Sequence, residues 1–145
     1  MKNNGSIKHA ENLYNNIFLA FDTIKKAQTK IFSKHKLTHP QFGVLEALAK
    51  EGPMPLKKLS QKLFVTGANI TCVVDNLEKV GFVKREPSKI DRRIVTAEIT
   101  PQGILKYEEV MPNYVESMES LSTRYEEHER EQLEELLQKL VGEAY

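Results

Sequence analysis

The chain has 145 residues, 40% hydrophobic and 28% charged, a balance typical of a soluble globular protein and unlike that of a disordered or fibrous one. Its apolar runs of only a few residues exclude a transmembrane helix, and its single cysteine, Cys72, excludes an internal disulfide. The net charge of +1 hides a division: residues 1–100 hold 17 Lys and Arg against 9 Asp and Glu, whereas residues 101–145 hold 4 against 11.

The first segment repeats apolar residues at Ile7, Ala10, Leu13, Tyr14, Ile17, Phe18, Phe21, Ile24, Ala27 and Ile31, the three-and-four spacing of one long amphipathic helix. A stripe of about seven turns is too long for a small lobe to bury alone, and a second copy of the chain is an economical partner. Thr38 is a good N-cap for a second helix with Pro40 in its first turn and Phe42, Leu45 and Leu48 along its stripe. Gly52-Pro53-Met54-Pro55 stops that helix and forces an extended turn. Two short helical patterns follow. Leu56, Leu59 and Leu63 face one way in the first, opposite Lys57, Lys58 and Lys62. Thr66 caps the second, which carries Ile70, Val73, Val74, Leu77 and Val80 and ends at Gly81. This is the layout of a helix-turn-helix.

Strand signals come next in Phe82–Arg85 and in Ile94–Ile99, where Val95, Ala97 and Ile99 alternate with Thr96 and Glu98. The stretch between them is long, basic and contains Pro87, so the pair reads as a hairpin wing. Thr100-Pro101 starts another helix, which Pro112 should kink or break. A last helix carries Leu133, Leu136, Leu137, Leu140 and Val141 behind the acidic stretch from Glu126 to Glu135. The expected fold is mainly α with a small β-hairpin wing. The order is four helices, the hairpin, then two helices.

Catalytic chemistry finds no foothold. The chain has no glycine-rich phosphate loop, no Cys-x-x-Cys metal pair and no nucleophile elbow, and its one close histidine pair is His35 and His39. His35 and His39 straddle a helix boundary and need not share a face, so neither an enzyme nor a metal or cofactor is expected. The opening Met1–Ser6 lacks the apolar core of a secretory signal, which makes a cytoplasmic protein the expectation.

Nucleic acid fits better. Gly67-Ala68-Asn69-Ile70-Thr71 is short and polar where the second helix of the pair would enter a groove, and its amides attract phosphate. Asn69 can pair with an adenine edge, and Thr71 can reach a phosphate or a thymine methyl. Lys57, Lys58 and Lys62 can hold backbone phosphates without reading sequence. The wing offers Lys89, Arg92 and Arg93, cations suited to a narrow minor groove. Asp91 would orient a neighbouring arginine by a charge-assisted hydrogen bond. The DNA-contacting set expected is Lys57, Lys58, Thr66, Gly67, Asn69, Ile70, Thr71, Lys89, Asp91, Arg92 and Arg93. A winged-helix protein-interaction module and a non-specific architectural DNA binder remain as alternatives.

Asp91-Arg92-Arg93 followed by Ile99-Thr100-Pro101-Gln102-Gly103 resembles the wing signature of the multiple antibiotic resistance regulator (MarR) family, Asp-x-Arg, five residues, Leu-Thr-x-x-Gly. Leu37-Thr38-His39-Pro40-Gln41-Phe42-Gly43-Val44-Leu45 is similar to that family's Leu-Thr-x-x-Gln-Phe-x-x-Leu. Val65–Thr71 and Val74–Gly81 resemble its recognition helix, and Ile99 in place of Leu is the notable departure. The resemblance implies a single domain over residues 1–145. Dimerisation helices at 7–36 and 101–145 would flank a winged helix-turn-helix lobe at 37–100, with the helix-turn-helix at about 55–80 and the wing at about 82–99.

It further implies a homodimeric repressor on a pseudo-palindromic operator of double-stranded DNA, its two recognition helices about 34 Å apart. A small aromatic or phenolic effector would release it from a pocket lined by Tyr14, Phe18, Phe21, Phe42 and Tyr107. The family's organic-hydroperoxide sensors carry a cysteine early in the first helix, where this chain has none. Cys72 lies instead in the recognition helix. There it is inert if packed in the core and a candidate redox or electrophile sensor if exposed.

Overall fold

The computed structural model describes residues 4–142, and the ends of the expected domain span, residues 1–3 and 143–145, lie outside them. The elements are α1 (Asn4–Lys34), α2 (His39–Glu51), β1 (Met54–Pro55), α3 (Leu56–Lys62), α4 (Gly67–Lys79), β2 (Val83–Pro87), β3 (Val95–Ile99), α5 (Pro101–Ser122) and α6 (Glu127–Val141). They fall into two compact units, one up to Met111 and one from Pro112 onward.

In the first unit α1 closes with Leu37 N–H donating to the Phe32 carbonyl and Lys36 N–H to that of Ser33, which places Lys36 at a φ of 59°. Thr38 then starts α2 with a complete capping box. The Gln41 amide donates to Thr38 Oγ1 at 3.3 Å, and the Gln41 side chain accepts from Thr38 N at 2.9 Å. The buried face of α2 (Phe42, Val44, Leu45, Ala47 and Leu48) packs in one core with Leu59 of α3, Ile70, Val73, Val74 and Leu77 of α4, and Val83 and Ala97 of the sheet. Each fully buried side chain of this kind stabilises the fold by about 1.5–3 kcal/mol. Phe32 from α1 stacks on Phe42 at 4.4 Å between centroids, and Phe42 meets Tyr107 of α5 at 5.9 Å.

The sheet has three strands in the order β1-β3-β2, all antiparallel. Two residues of the segment read as an extended turn, Met54 and Pro55, pair with Ala97 and Thr96 and form β1. A two-residue strand flanked by prolines leaves no alternation to read, and Pro55 is tolerated because it lies on an edge strand. Of the alternating residues in β3 only Ala97 is fully buried; Val95, paired with Pro87, lies at the loop end of the hairpin, and Ile99 is half-buried.

The junction from hairpin to α5 explains the Thr-x-x-Gly spacing. Thr100 Oγ1 accepts from Gly103 N at 3.1 Å, capping the helix, and donates to the Gly81 carbonyl at 2.6 Å. A Cβ at Gly103 would sit 2.1 Å from the Phe82 carbonyl oxygen, so only glycine lets the first turn of α5 lie on the start of β2. The expected break at Pro112 does not occur, and α5 runs through it without interruption. A mid-helix proline costs one backbone hydrogen bond, and the surrounding turns of this 22-residue helix carry on past it.

In the second unit Glu126 and Glu129 form a capping box at the start of α6. Leu133, Leu136, Leu137, Leu140 and Val141 are all exposed. Ile7, Leu13, Tyr14, Ile17, Phe18, Phe21 and Ile24 of α1 are uncovered as well. No helix among the described residues is long and apolar enough to cross a membrane.

Candidate nucleic-acid interface

α3, the turn Leu63–Thr66 and α4 build a helix-turn-helix. The turn is tight: Leu63 N–H donates to the Leu59 carbonyl and Val65 N–H to that of Ser60, and Phe64 is forced to a φ of 54°. Thr66 caps α4, its Oγ1 accepting from Asn69 N at 3.2 Å. Thr66, Gly67, Asn69 and Thr71 are all exposed at the start of α4, and the Asn69 side-chain amide makes no hydrogen bond among the described residues. The Thr71 hydroxyl donates back to the Gly67 carbonyl at 2.9 Å. Ile70 departs from the expected contact set. It is 1% exposed and faces the core, because it belongs to the same helical stripe as Val73, Val74 and Leu77. Its role is to hold α4, and no groove can reach it.

The three lysines of α3 differ. Lys62 pairs with Glu51 at the end of α2, and Lys58 approaches the same carboxylate at 3.8 Å. The Lys62 hydrogen bond holds the Glu51 carboxyl below its ordinary range. Lys57 is exposed and forms no ion pair among the described residues, so of the three it is the cation most available to a phosphate.

The wing is β2, β3 and the loop between them. Lys89, Arg92 and Arg93 are exposed at its end. Asp91 works otherwise than expected. Its Oδ1 accepts from the backbone N of Arg93 at 3.0 Å, while the Arg93 Nε stands 4.0 Å away, too far for a hydrogen bond. Asp91 thus fixes the turn of the backbone and leaves the guanidinium, 94% exposed, pointing into solvent.

A contact that the sequence pattern did not single out ties the wing to α4. Arg85 of β2 reaches Asp75 at 2.6 Å and Glu78 at 2.7 Å through its two terminal nitrogens, and its Nε donates to Glu78 at 3.0 Å. The Arg85 backbone N–H also donates to Glu78. Hydrogen bonding to Arg85 lowers the Glu78 pKa, and the same bond raises that of Arg85. The readable signal was two carboxylates at i and i+3 on α4, followed by an arginine in the next strand.

The remaining expected residues separate. Phe42 is buried within its stack, Tyr107 is half-buried, and Tyr14, Phe18 and Phe21 are exposed along α1. A cleft of about 390 Å³ lies elsewhere, between His35, Lys36, Leu37 and Gln41 on one side and Asn76, Leu77, Lys79, Val80, Phe82 and Lys106 on the other. Cys72 is exposed on α4 beside Asn76. His35 bonds Glu109 at 2.9 Å and His39 bonds Gln28 at 3.0 Å, so the two rings serve different partners.

Residues 37–95, which span the helix-turn-helix and most of the wing, match the model of the MarR family. Over 121 residues, 83% of each chain, the sequence is 31% identical to the HTH-type transcriptional regulator MhqR of Bacillus subtilis (strain 168). The chain belongs to the MarR family. It is similar in fold to a cysteine-to-serine variant of MarR from E. coli complexed with operator DNA, with a TM-score of 0.82, 24% identity and coverage of 90% of this chain and 94% of that one. It is similar also to NadR in complex with 4-hydroxyphenylacetate, with a TM-score of 0.74, 22% identity and coverage of 88% and 91%. As a MarR-family member the protein is a DNA-binding transcriptional regulator and not an enzyme. The α3–α4 pair and the wing are its winged helix-turn-helix.

Proposed function

We propose that this regulator is a cytoplasmic homodimeric repressor that grips a pseudo-palindromic operator and lets go when a small effector binds. The observation that carries the reading is the open start of α4. Thr66, Gly67, Asn69 and Thr71 are exposed there, and among the described residues the Asn69 side-chain amide makes no hydrogen bond and Lys57 and Arg92 of the same unit make no ion pair. Asn69 reads a base edge in the major groove, and Lys57 and Lys58 hold phosphates. Lys89, Arg92 and Arg93 reach the minor groove and the phosphates along its rims, with Asp91 setting their turn. The apolar faces of α1 and α6, left uncovered in the single chain, are where a second copy packs. The expected division into dimerisation helices (7–36 and 101–145) and a DNA-binding lobe (37–100) is part of this proposal.

For the effector, the reading draws on the phenolic ligand of NadR and on the aromatic side chains here. Half-buried Tyr107 forms the inner wall, backed by the buried Phe42, and Tyr14, Phe18 and Phe21 of α1 complete a pocket once a partner covers them. An electrophilic effector would act instead on Cys72, whose exposure on α4 puts any added group against DNA. An unchanged effector response in Cys72→Ser rejects that second route.

The deciding experiment measures binding to the DNA upstream of the protein's own gene and to a scrambled control, over a salt series. Sequence-dependent binding that falls about 5- to 150-fold in Asn69→Ala, the worth of one good base contact, supports specific regulation. Equal, steeply salt-dependent binding to both duplexes supports an architectural role instead. Absence of binding to either points to a protein partner.

A further inference from the structure

Ile90 stands at the tip of the wing with 99% of its surface exposed. A lone exposed apolar residue needs no explanation, but this one is held in place. Ser88 N–H donates to the Ile94 carbonyl at 2.7 Å and Ile94 N–H to the Asp91 carbonyl at 2.9 Å, which closes the loop on itself. Within it the Ile90 N–H donates to Ser88 Oγ at 3.2 Å, and the Arg93 N–H to Asp91 Oδ1 at 3.0 Å. The backbone of the tip is therefore organised without any partner, and it presents Ile90 to solvent rather than folding it back onto the strands. Ile94 and Val95 beside it are 42% and 41% exposed, and Lys89, Arg92 and Arg93 surround this apolar edge with positive charge.

That combination matches one surface in particular. The minor groove of DNA is a slot about 6 Å wide. Its walls are the C–H faces of deoxyribose and its rims are phosphates, so an aliphatic tip flanked by cations meets complementary chemistry on the walls and on the rims. Aliphatic side chains are known to press into this groove and between base steps. We propose that Ile90 is an apolar minor-groove probe, packing against the sugar walls while Arg92 and Arg93 take the phosphates, and that it supplies a share of operator affinity independent of salt. The proposal rests on the reading of the wing as a DNA contact, and its test separates the two.

Duplexes recovered by the wild-type protein from a random-sequence pool serve as probe, with binding measured by fluorescence anisotropy over a salt series for wild type, Ile90→Ser, Ile90→Leu and the double variant R92A/R93A. Burying about half of one aliphatic side chain predicts that Ile90→Ser binds about five- to tenfold more weakly at every salt concentration, on a line parallel to wild type. Ile90→Leu stays within about twofold, and the melting temperature of Ile90→Ser is unchanged because the side chain touches nothing in the free protein. R92A/R93A instead flattens the salt dependence by about two phosphate contacts. Ile90→Ser binding within twofold of wild type, with the arginine variant weakened, overturns the role of Ile90 and leaves the wing reading standing. A change of slope in Ile90→Ser overturns it too, since an uncharged contact cannot alter ion release. If neither variant differs from wild type, the wing itself does not touch the DNA.

Discussion

A Cβ placed on Gly67 would meet no atom within 4 Å, and the residue sits in the first turn of a helix without any need for a left-handed backbone. Nothing inside the protein requires glycine there, whereas a phosphate or base edge approaching the start of α4 would. Gly67→Ala is therefore expected to raise stability by about 0.5–1 kcal/mol, the difference in helix propensity, and to weaken operator binding. Thermal melting and DNA titration on the same sample check both halves, and an alanine variant that binds DNA as well as wild type removes Gly67 from the interface. Single residues also show where sequence patterns stop being informative. Ile70 lies both on the apolar stripe of α4 and within the polar run at its start, and only the packed helix decides that the stripe prevails. Asp91 was readable as an orienting group, but its object, the backbone N–H rather than the guanidinium, depends on the loop's own geometry.

At the scale of elements, α4 and the wing must keep a fixed angle if one is to lie in a major groove while the other reaches the adjacent minor groove. Arg85 of β2, paired with Asp75 and Glu78 of α4, ties the two together. Because its bond to Arg85 lowers the native pKa of Glu78, the contact contributes stability above the ordinary carboxylate value and loses it as pH falls through the lowered one. Wild type should lose more thermal stability than Glu78→Gln between about pH 5 and pH 3. The two melting curves are compared at each pH so that Glu51 and Glu109, lowered by their own partners, cancel. Since both side chains are about a third exposed, the difference is worth at most about 1 kcal/mol. Identical pH profiles would remove the clamp. The elements themselves were largely legible, because long apolar periodicities and the caps at Thr38, Thr66 and Thr100 mark α1, α2, α4 and α5. β1 was not, as two residues carry no period, and α5 outlasts Pro112 because the loss of one hydrogen bond is small beside the rest of its ladder.

At the scale of the whole molecule, the outstanding fact is apolar surface that the chain does not bury. A helix of 31 residues is about 46 Å long, and Leu13, Tyr14, Ile17, Phe18 and Phe21 of α1 are open to solvent, as are the leucines of α6. A second copy would cover both helices, and along the sequence the charge divides into a basic stretch over residues 1–100 and an acidic one over residues 101–145. If so, folding and association are one equilibrium, and the melting temperature of wild type rises with protein concentration. Charging the α6 stripe with Leu136→Glu and Leu140→Glu is expected to give a monomer by size exclusion with light scattering. Operator affinity should fall about 10²- to 10⁴-fold, because the second half-site then binds as an independent event instead of at high effective concentration. The start of α4 and the wing lie on the other compact unit, so the variant keeps its contacts to a single half-site, and weak binding with the wild-type sequence preference should survive. A variant that stays dimeric with full affinity assigns the second copy to another surface. A wild type that is monomeric at working concentration yet binds DNA tightly would mean that one lobe suffices, and the uncovered stripes would then need a different partner.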